Sequence, residues 1–362
     1  MAGNSDALAK VDRAKLTAWM DSRGLGDSSI PIELDYMSGG SQNEIFKVTR
    51  GDWSAALRKP PFPPPPGRAE GIVREWKIIE ALDGSHVPHT KAIALCEDES
   101  IMGTNFYMMG VVDGWSPMSA GDNTEDADAS TVRKWPEPFE SDIASRAGLA
   151  KELIRGAAMM ANFDWEPKLK DLGRPDGYHE RQVERWIRFY ERVKSREIPG
   201  LAEATKWLDS NRPLDFKPGL MHGDYQFANV MFAHGAPAKL AAIIDWEMGT
   251  IGDPKIDLAW IVRDWPEDTS QASGASYVNT TGMPGRTELL NYWSSLTGRS
   301  VEDMDYYYIL AAWKLGIVLE QGYARALQGH GDEKQMAFGP LIIELMQKAA
   351  DMAASTSFSN PK

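Results

Sequence analysis

Three oxygen-bearing side chains stand at spacings that suit phosphoryl transfer. Asp224 lies in the segment M-H-G-D-Y-Q-F-A-N-V-M-F, Asn229 follows after four intervening residues, and Asp245 closes the apolar run L-A-A-I-I-D-W-E. One carboxylate can orient a hydroxyl nucleophile, while an amide oxygen and a second carboxylate can hold the magnesium ions that bridge ATP phosphates. A lone Asp-x4-Asn recurs by chance in a chain of this size. Paired with a strand-terminal Asp a short way on, it becomes specific. Asp224 is therefore the candidate catalytic residue, Asn229 and Asp245 are the candidate metal ligands, and ATP and Mg2+ are the implied cofactors.

A nucleotide also needs its phosphates covered and neutralised. Gly39, Gly40 and Ser41 lie between two strand-like runs, where a hairpin turn would present backbone N–H groups to phosphates. The next strand ends Ala56-Leu57-Arg58-Lys59. If Leu57 faces the core, alternation turns Arg58 to the opposite face and sends Lys59 back or to the strand end. Arg58 is then the candidate phosphate cation, and its planar fork can hold phosphate oxygens bidentately. The following helix offers Glu75 as its partner, with Glu70 and Glu80 as alternatives.

These residues need a sheet and helices to hold them. Residues 6–24 carry Leu8, Val11, Leu16 and Trp19 on one helical face and end at Gly24 and Gly26. Strands are expected in P-I-E-L-D-Y-M, in S-G-G-S-Q-N-E-I-F-K-V, in D-W-S-A-A-L-R-K, and over 90–96 and 105–112. A proline run over 60–66 reads as a stiff loop, and 70–82 as a helix. Residues 116–140, rich in Ser, Asp, Glu and Pro, read as a loop whose acidic side chains could shape an acceptor entrance. From Asp142 the chain is mostly helical, with strands only around the Asp224 segment and I-I-D-W.

Composition bounds the function. The 362 residues suffice for two lobes, and 43 % hydrophobic with 25 % charged residues is an ordinary globular balance. A formal charge of −13 argues against a nucleic-acid partner. The single cysteine, Cys96, excludes an intramolecular disulfide framework and a cysteine zinc cluster. The first residues lack the apolar core of a signal peptide, and no run reaches the roughly 18 apolar residues of a membrane span. The expectation is a cytoplasmic enzyme acting on a small-molecule hydroxyl acceptor, without membrane or nucleic-acid partners.

With H-G-D at 222–224 and D-W-E running on into Gly252-Asp253-Pro254-Lys255-Ile256-Asp257-Leu258-Ala259, the chain resembles the aminoglycoside phosphotransferase and choline kinase-like family. The resemblance implies an α+β, bilobal protein-kinase-like fold: a β-rich N-lobe over 1–110, a mostly helical C-lobe over 111–362, and ATP between them. It implies Asp224 as catalytic base, Asn229 and Asp245 as magnesium ligands, and the backbone at Met109 and Val111 as the adenine-binding hinge. His222 would be structural, Asp253 an N-cap ahead of Pro254, and Asp257 a brace for the loop. The stretches L-R-K-P-P and G-R-P-D-G-Y-H-E-R-Q-V-E-R-W are similar to a branch of kinase-like domains fused to acyl-CoA dehydrogenases. In that branch Arg at the position of Arg58 is usual and the acceptor is a hydroxyacyl thioester.

The primary expectation is thus transfer of the ATP γ-phosphoryl group to a small-molecule hydroxyl, aminoglycoside phosphotransferase-like, with the hydroxyacyl thioester as an alternative acceptor. A non-catalytic nucleotide-binding module is the competing reading from another class. A protein kinase is disfavoured by the lack of an A-P-E motif and of room for a long activation loop.

Overall fold

Apolar residues alternate along the first strands, and the computed structural model shows what each face of the resulting sheet meets. The structure describes residues 8, 11–37, 43–65, 67–117, 134–271, 278–330 and 332–360. In chain order its first elements are α1 (Arg13–Ser22), β1 (Glu33–Met37), β2 (Glu44–Arg50), β3 (Trp53–Lys59), α2 (Arg68–Leu82), β4 (Ala92–Cys96), β5 (Phe106–Met109), α3 (Arg146–Ala161), α4 (Tyr178–Val193) and α5 (Leu201–Ser210). There follow β6 (Gly219–Met221), β7 (Val230–Phe232), β8 (Leu240–Ile243), β9 (Thr250–Gly252), α6 (Lys255–Val262), α7 (Arg286–Thr297), α8 (Met304–Leu327) and α9 (Phe338–Ser355). One-turn helices at Glu99–Met102 and Glu166–Leu169 punctuate the connections. The expected α+β class, β-rich towards the N-terminus and largely helical beyond, is met.

Two compact units form, neither contiguous in sequence. The first draws on Met1–Ala120, Trp165–Leu172 and Phe227–Gly249. Its antiparallel sheet runs in the order β1-β2-β3-β5-β4. One face carries Phe46 and Val48 of β2, Ala55 and Leu57 of β3, and Phe106 and Met108 of β5, which pack with Leu16, Trp19 and Met20 of α1. Trp19 meets Phe106 edge to face, with ring centroids 4.9 Å apart. Because side chains alternate across the sheet, Arg58 and Tyr107 project from the other face. Lys59 shares the parity of Leu57; its ammonium bonds Glu44 at 2.5 Å and the Pro60 carbonyl at 3.0 Å. The β7–β8 hairpin joins this unit, with Val230 paired to Ile243 and Trp115 bridged to Phe232.

The second unit draws on Gly121–Asp164, Gly173–Gln226 and Thr250–Lys362. Its helices surround a two-stranded ribbon in which Leu220 of β6 pairs with Ile251 of β9. The ribbon delivers the chain directly into α6. Asp253 accepts a hydrogen bond from Lys255 N at 3.1 Å, with Pro254 between them, as the sequence leads one to expect of a helix start. The Asp253 carboxylate is also held by Tyr307 at 2.5 Å and by His179 at 2.9 Å. Burial raises its pKa, but the bonds from His179 and Tyr307 outweigh that, and the carboxyl sits below the usual range. No helix among the described residues is long and apolar enough to cross a membrane.

Candidate functional site

In the first unit, α2 buries Glu75 together with Ile72, Trp76 and Ile79, so this carboxylate lies on the helix's core-facing side. Arg58 reaches it from β3, Nε to Oε2 at 2.8 Å, and Tyr107 donates its hydroxyl to the same oxygen at 3.0 Å. Glu75 is therefore the partner of Arg58 among the three glutamates that the sequence leaves open. The other end of the guanidinium donates to Asp245 at 2.6 Å. Burial works against the charge on Arg58, but Glu75, Tyr107 and Asp245 hold it cationic. Burial also pushes the Glu75 carboxyl up to about 7, against the pull of Arg58.

Asp245 is held in place by backbone geometry. Val230 and Ile243 are paired across the β7–β8 hairpin, and Ile244 N donates to Asn229 O at 3.0 Å. Asn229 and Asp245 therefore emerge at the same end of one hairpin. Asp245 has φ 64° and is the one non-glycine residue with positive φ among the described residues. Such a backbone costs about 1–2 kcal/mol, and strain of this kind concentrates at functional positions. Carboxylate oxygens of Glu75, Asp245 and Glu247 lie within 4.8 Å of one another. Arg68 partly balances them through Glu247 at 2.9 Å. A cavity of about 330 Å³ opens here, lined by Asn43, Gly67, Arg68, Gly71, Glu75 and Glu247. Three carboxylates so close offer hard-oxygen donors of the kind that hold a divalent cation.

In the second unit, Asp224 sits on the loop after β6. Gly223 has φ 85°, a conformation that only glycine adopts freely, which explains the G of H-G-D. Asp257, in the first turn of α6, accepts from His222 N at 2.6 Å and from Gly223 N at 2.8 Å. The expected brace is thus a two-pronged clamp on successive backbone amides. Burial raises the Asp257 pKa, opposed by His222 and by these amides. His222 is fully buried, and its Nδ1 accepts from Asp224 N at 3.3 Å, as suits a structural residue. The Asp224 carboxylate accepts from Trp260 Nε1 at 2.8 Å and from Gln226 Nε2 at 2.9 Å. Close by, Lys314 Nζ lies 5.2 Å from the ring centres of both Trp186 and Trp260 and 3.5 Å from Gly223 O.

The remaining expected positions are as follows. Gly39, Gly40 and Ser41, and the acidic loop with Asp122, Glu125, Asp126 and Asp128, lie outside the described residues. Met109 ends β5, paired with Ala56 and Ala92, and Val111 lies exposed just beyond it. Trp260, Gln226 and Lys314 around Asp224, and Tyr107 behind Glu75, escaped the sequence reading. Trp260 had a signal, since it falls three residues after Asp257 on the same helical face. Lys314 had one too, as a lone cation in the apolar stretch Y-Y-Y-I-L-A-A-W-K-L-G-I-V-L.

The mixed α+β fold, which carries an Arg58–Glu75–Asp245 bridge and a glycine-turned aspartate loop, is of the phosphotransferase class. The family comparison agrees: residues 34–292 match the model of the phosphotransferase enzyme family, and the chain belongs to that family. Among its relatives is acyl-CoA dehydrogenase family member 11 of Gallus gallus, 30 % identical over 339 residues, covering 91 % of this chain and 41 % of the relative. The chain spans less than half the length of the curated relatives it matches first. A crystal structure of a candidate aminoglycoside phosphotransferase from Ralstonia eutropha JMP134 superposes with TM-score 0.78 at 26 % identity, covering 95 % of this chain and 98 % of that one. The ternary complex of aminoglycoside phosphotransferase APH(4)-Ia with AMP-PNP and hygromycin B shares the fold at TM-score 0.59 and 13 % identity, over 96 % of this chain and 100 % of that one.

Proposed function

We propose that the chain transfers the γ-phosphoryl group of ATP to a hydroxyl of a small molecule. The observation that carries this reading is the bridge from Glu75 through Arg58 to the strained Asp245. A cation held at a strand-terminal aspartate beside a cavity is the arrangement that receives nucleotide phosphates.

Arg58 would shift part of its charge to the phosphates while Glu75 keeps it in place. Asn229 and Asp245 would hold magnesium, which when bound neutralises the phosphate oxygens. Asp224 would accept the hydrogen of the acceptor hydroxyl, its carboxylate oriented by Trp260 and Gln226 and the two residues ahead of it held by Asp257. Positioning and electrostatic stabilisation would supply most of the acceleration. Met109 and Val111 would contact adenine, and Gly39, Gly40 and Ser41 would cover the phosphates.

The name of the Gallus gallus relative favours an acyl compound over an aminoglycoside as acceptor. A coupled ADP-release assay over aminoglycosides, amino alcohols and hydroxyacyl compounds tests the reading. Asp224→Asn should lower turnover by about a hundredfold or more while leaving the fold intact. Full turnover by Asp224→Asn on a true substrate would remove Asp224 as base. Magnesium-dependent ATP binding without transfer to any acceptor would instead support the nucleotide-binding module.

A further inference from the structure

We propose that Lys314 sets the charge of the acceptor: beside Asp224 the second unit takes a hydroxyl compound that carries a carboxylate, and it turns cationic acceptors away. The proposal rests on the phosphotransfer reading of Asp224 and adds the substrate class.

Indole faces beside a catalytic carboxylate would ordinarily recruit an ammonium-bearing alcohol by cation–π attraction. Here the protein's own cations cover those faces. Lys314 Nζ is 5.2 Å from both ring centres, Arg185 lies 5.8 Å over Trp186, and Arg263 lies 4.9 Å over Trp260. Trp260 ties this arrangement to the chemistry, because its face meets Lys314 while its Nε1 holds Asp224.

The carboxylates nearby are already engaged. Asp257 is committed to two backbone amides, Asp264 to Arg263 and Lys348, and Asp224 to the Trp260 and Gln226 donors. Among the described residues Lys314 has no carboxylate within ion-pair distance. Besides the two indole faces, its ammonium has one hydrogen-bond partner among the described residues, the Gly223 carbonyl at 3.5 Å. A cation so placed is under-compensated, and burial lowers its pKa although Asp257 and Asp224 act on it at longer range. An incoming carboxylate would supply the missing counter-charge within reach of the base, whereas an incoming ammonium would meet like charge and occupied rings.

The test uses acceptors matched in length and differing only in charge: hydroxycarboxylates, neutral diols and amino alcohols. Binding is followed by calorimetry with Mg2+ and a non-hydrolysable ATP analogue present, and transfer by ADP release. The wild type should bind hydroxycarboxylates at least about tenfold more tightly than the matched amino alcohols. Lys314→Met should abolish that preference while changing neutral diol binding by less than about threefold, and Lys314→Arg should restore it. The proposal is overturned if the wild type shows no charge preference, if Lys314→Met keeps it, or if Lys314→Met weakens all three acceptor classes equally. Charge-selective binding without ADP release would refute the phosphotransfer reading and leave this assignment standing.

Discussion

Asp257→Asn isolates the support beneath the candidate base without touching the base itself. The carboxylate is 2 % exposed and takes one backbone amide on each oxygen, His222 N at 2.6 Å and Gly223 N at 2.8 Å. Asparagine keeps one acceptor oxygen and turns an NH2 group towards the second amide. The lost charge-assisted hydrogen bond is worth about 1.5–3 kcal/mol, and the stranded amide costs a further ~1–3 kcal/mol. Burial already disfavours the charged form of Asp257, so removing the charge returns part of this. The net loss should be about 2–4 kcal/mol, a large share of the roughly 5–15 kcal/mol that stabilises a folded chain. Turnover should fall as well, because a loop displaced by about 1 Å can cost a hundredfold in rate. Urea unfolding followed by tryptophan fluorescence reads the first effect, and ADP release with a true acceptor reads the second. A variant within about 0.5 kcal/mol of wild type and with unchanged kcat would show that the clamp neither stabilises the loop nor positions Asp224.

Arg58→Lys should weaken ATP binding and destabilise the chain by about 1–3 kcal/mol, since a point ammonium cannot span Glu75 and Asp245 together; equal ATP affinity and equal urea midpoints would contradict this. Gly223→Ala should cost about 1–2 kcal/mol for the left-handed backbone and lower kcat more than it changes the KM for ATP, as steady-state kinetics would show. Burial holds the folded pKa of Lys314 below 10.5, so between that lowered value and 10.5 the unfolded chain binds more protons than the folded one. Stability of the wild type relative to Lys314→Met should therefore rise with pH across that window, and parallel urea titrations at stepped pH check the slope.

Local periodicity made part of this site legible. Alternation along β3 separated Arg58 from Lys59, and the position of the next helix put Glu75 forward with Glu70 and Glu80 still open, a choice that the ion pair of Arg58 with Glu75 makes. Both inferences need only a few neighbouring residues. Lys314 is another matter, since it lies 91 residues from Gly223, and no short-range pattern links the two. The pairing of Trp115 with Phe232 is equally non-local, and it carries the Asn229–Asp245 hairpin into the same unit as the sheet. The left-handed backbone of Asp245 was also invisible, because aspartate tolerates that conformation without requiring it.

The segment from Asp253 to Trp260 shows how much of the Asp224 loop one short helix can govern. Asp253 starts α6 by accepting from Lys255 N. Asp257, one turn further on, holds the amides of His222 and Gly223, and Trp260, three residues later, holds the carboxylate of Asp224. The backbone just ahead of the candidate base and the side chain of that base are thus located by the same rigid element, at positions spaced to share a helical face. Glycine at 223 lets the loop turn into that grip, whereas a side chain there would strain the turn. The spacing D-P-x-x-D-x-x-W is therefore a physical requirement of the loop, and on the proposal made here the choice of acceptor would fall to residues such as Lys314 that approach from elsewhere in the chain.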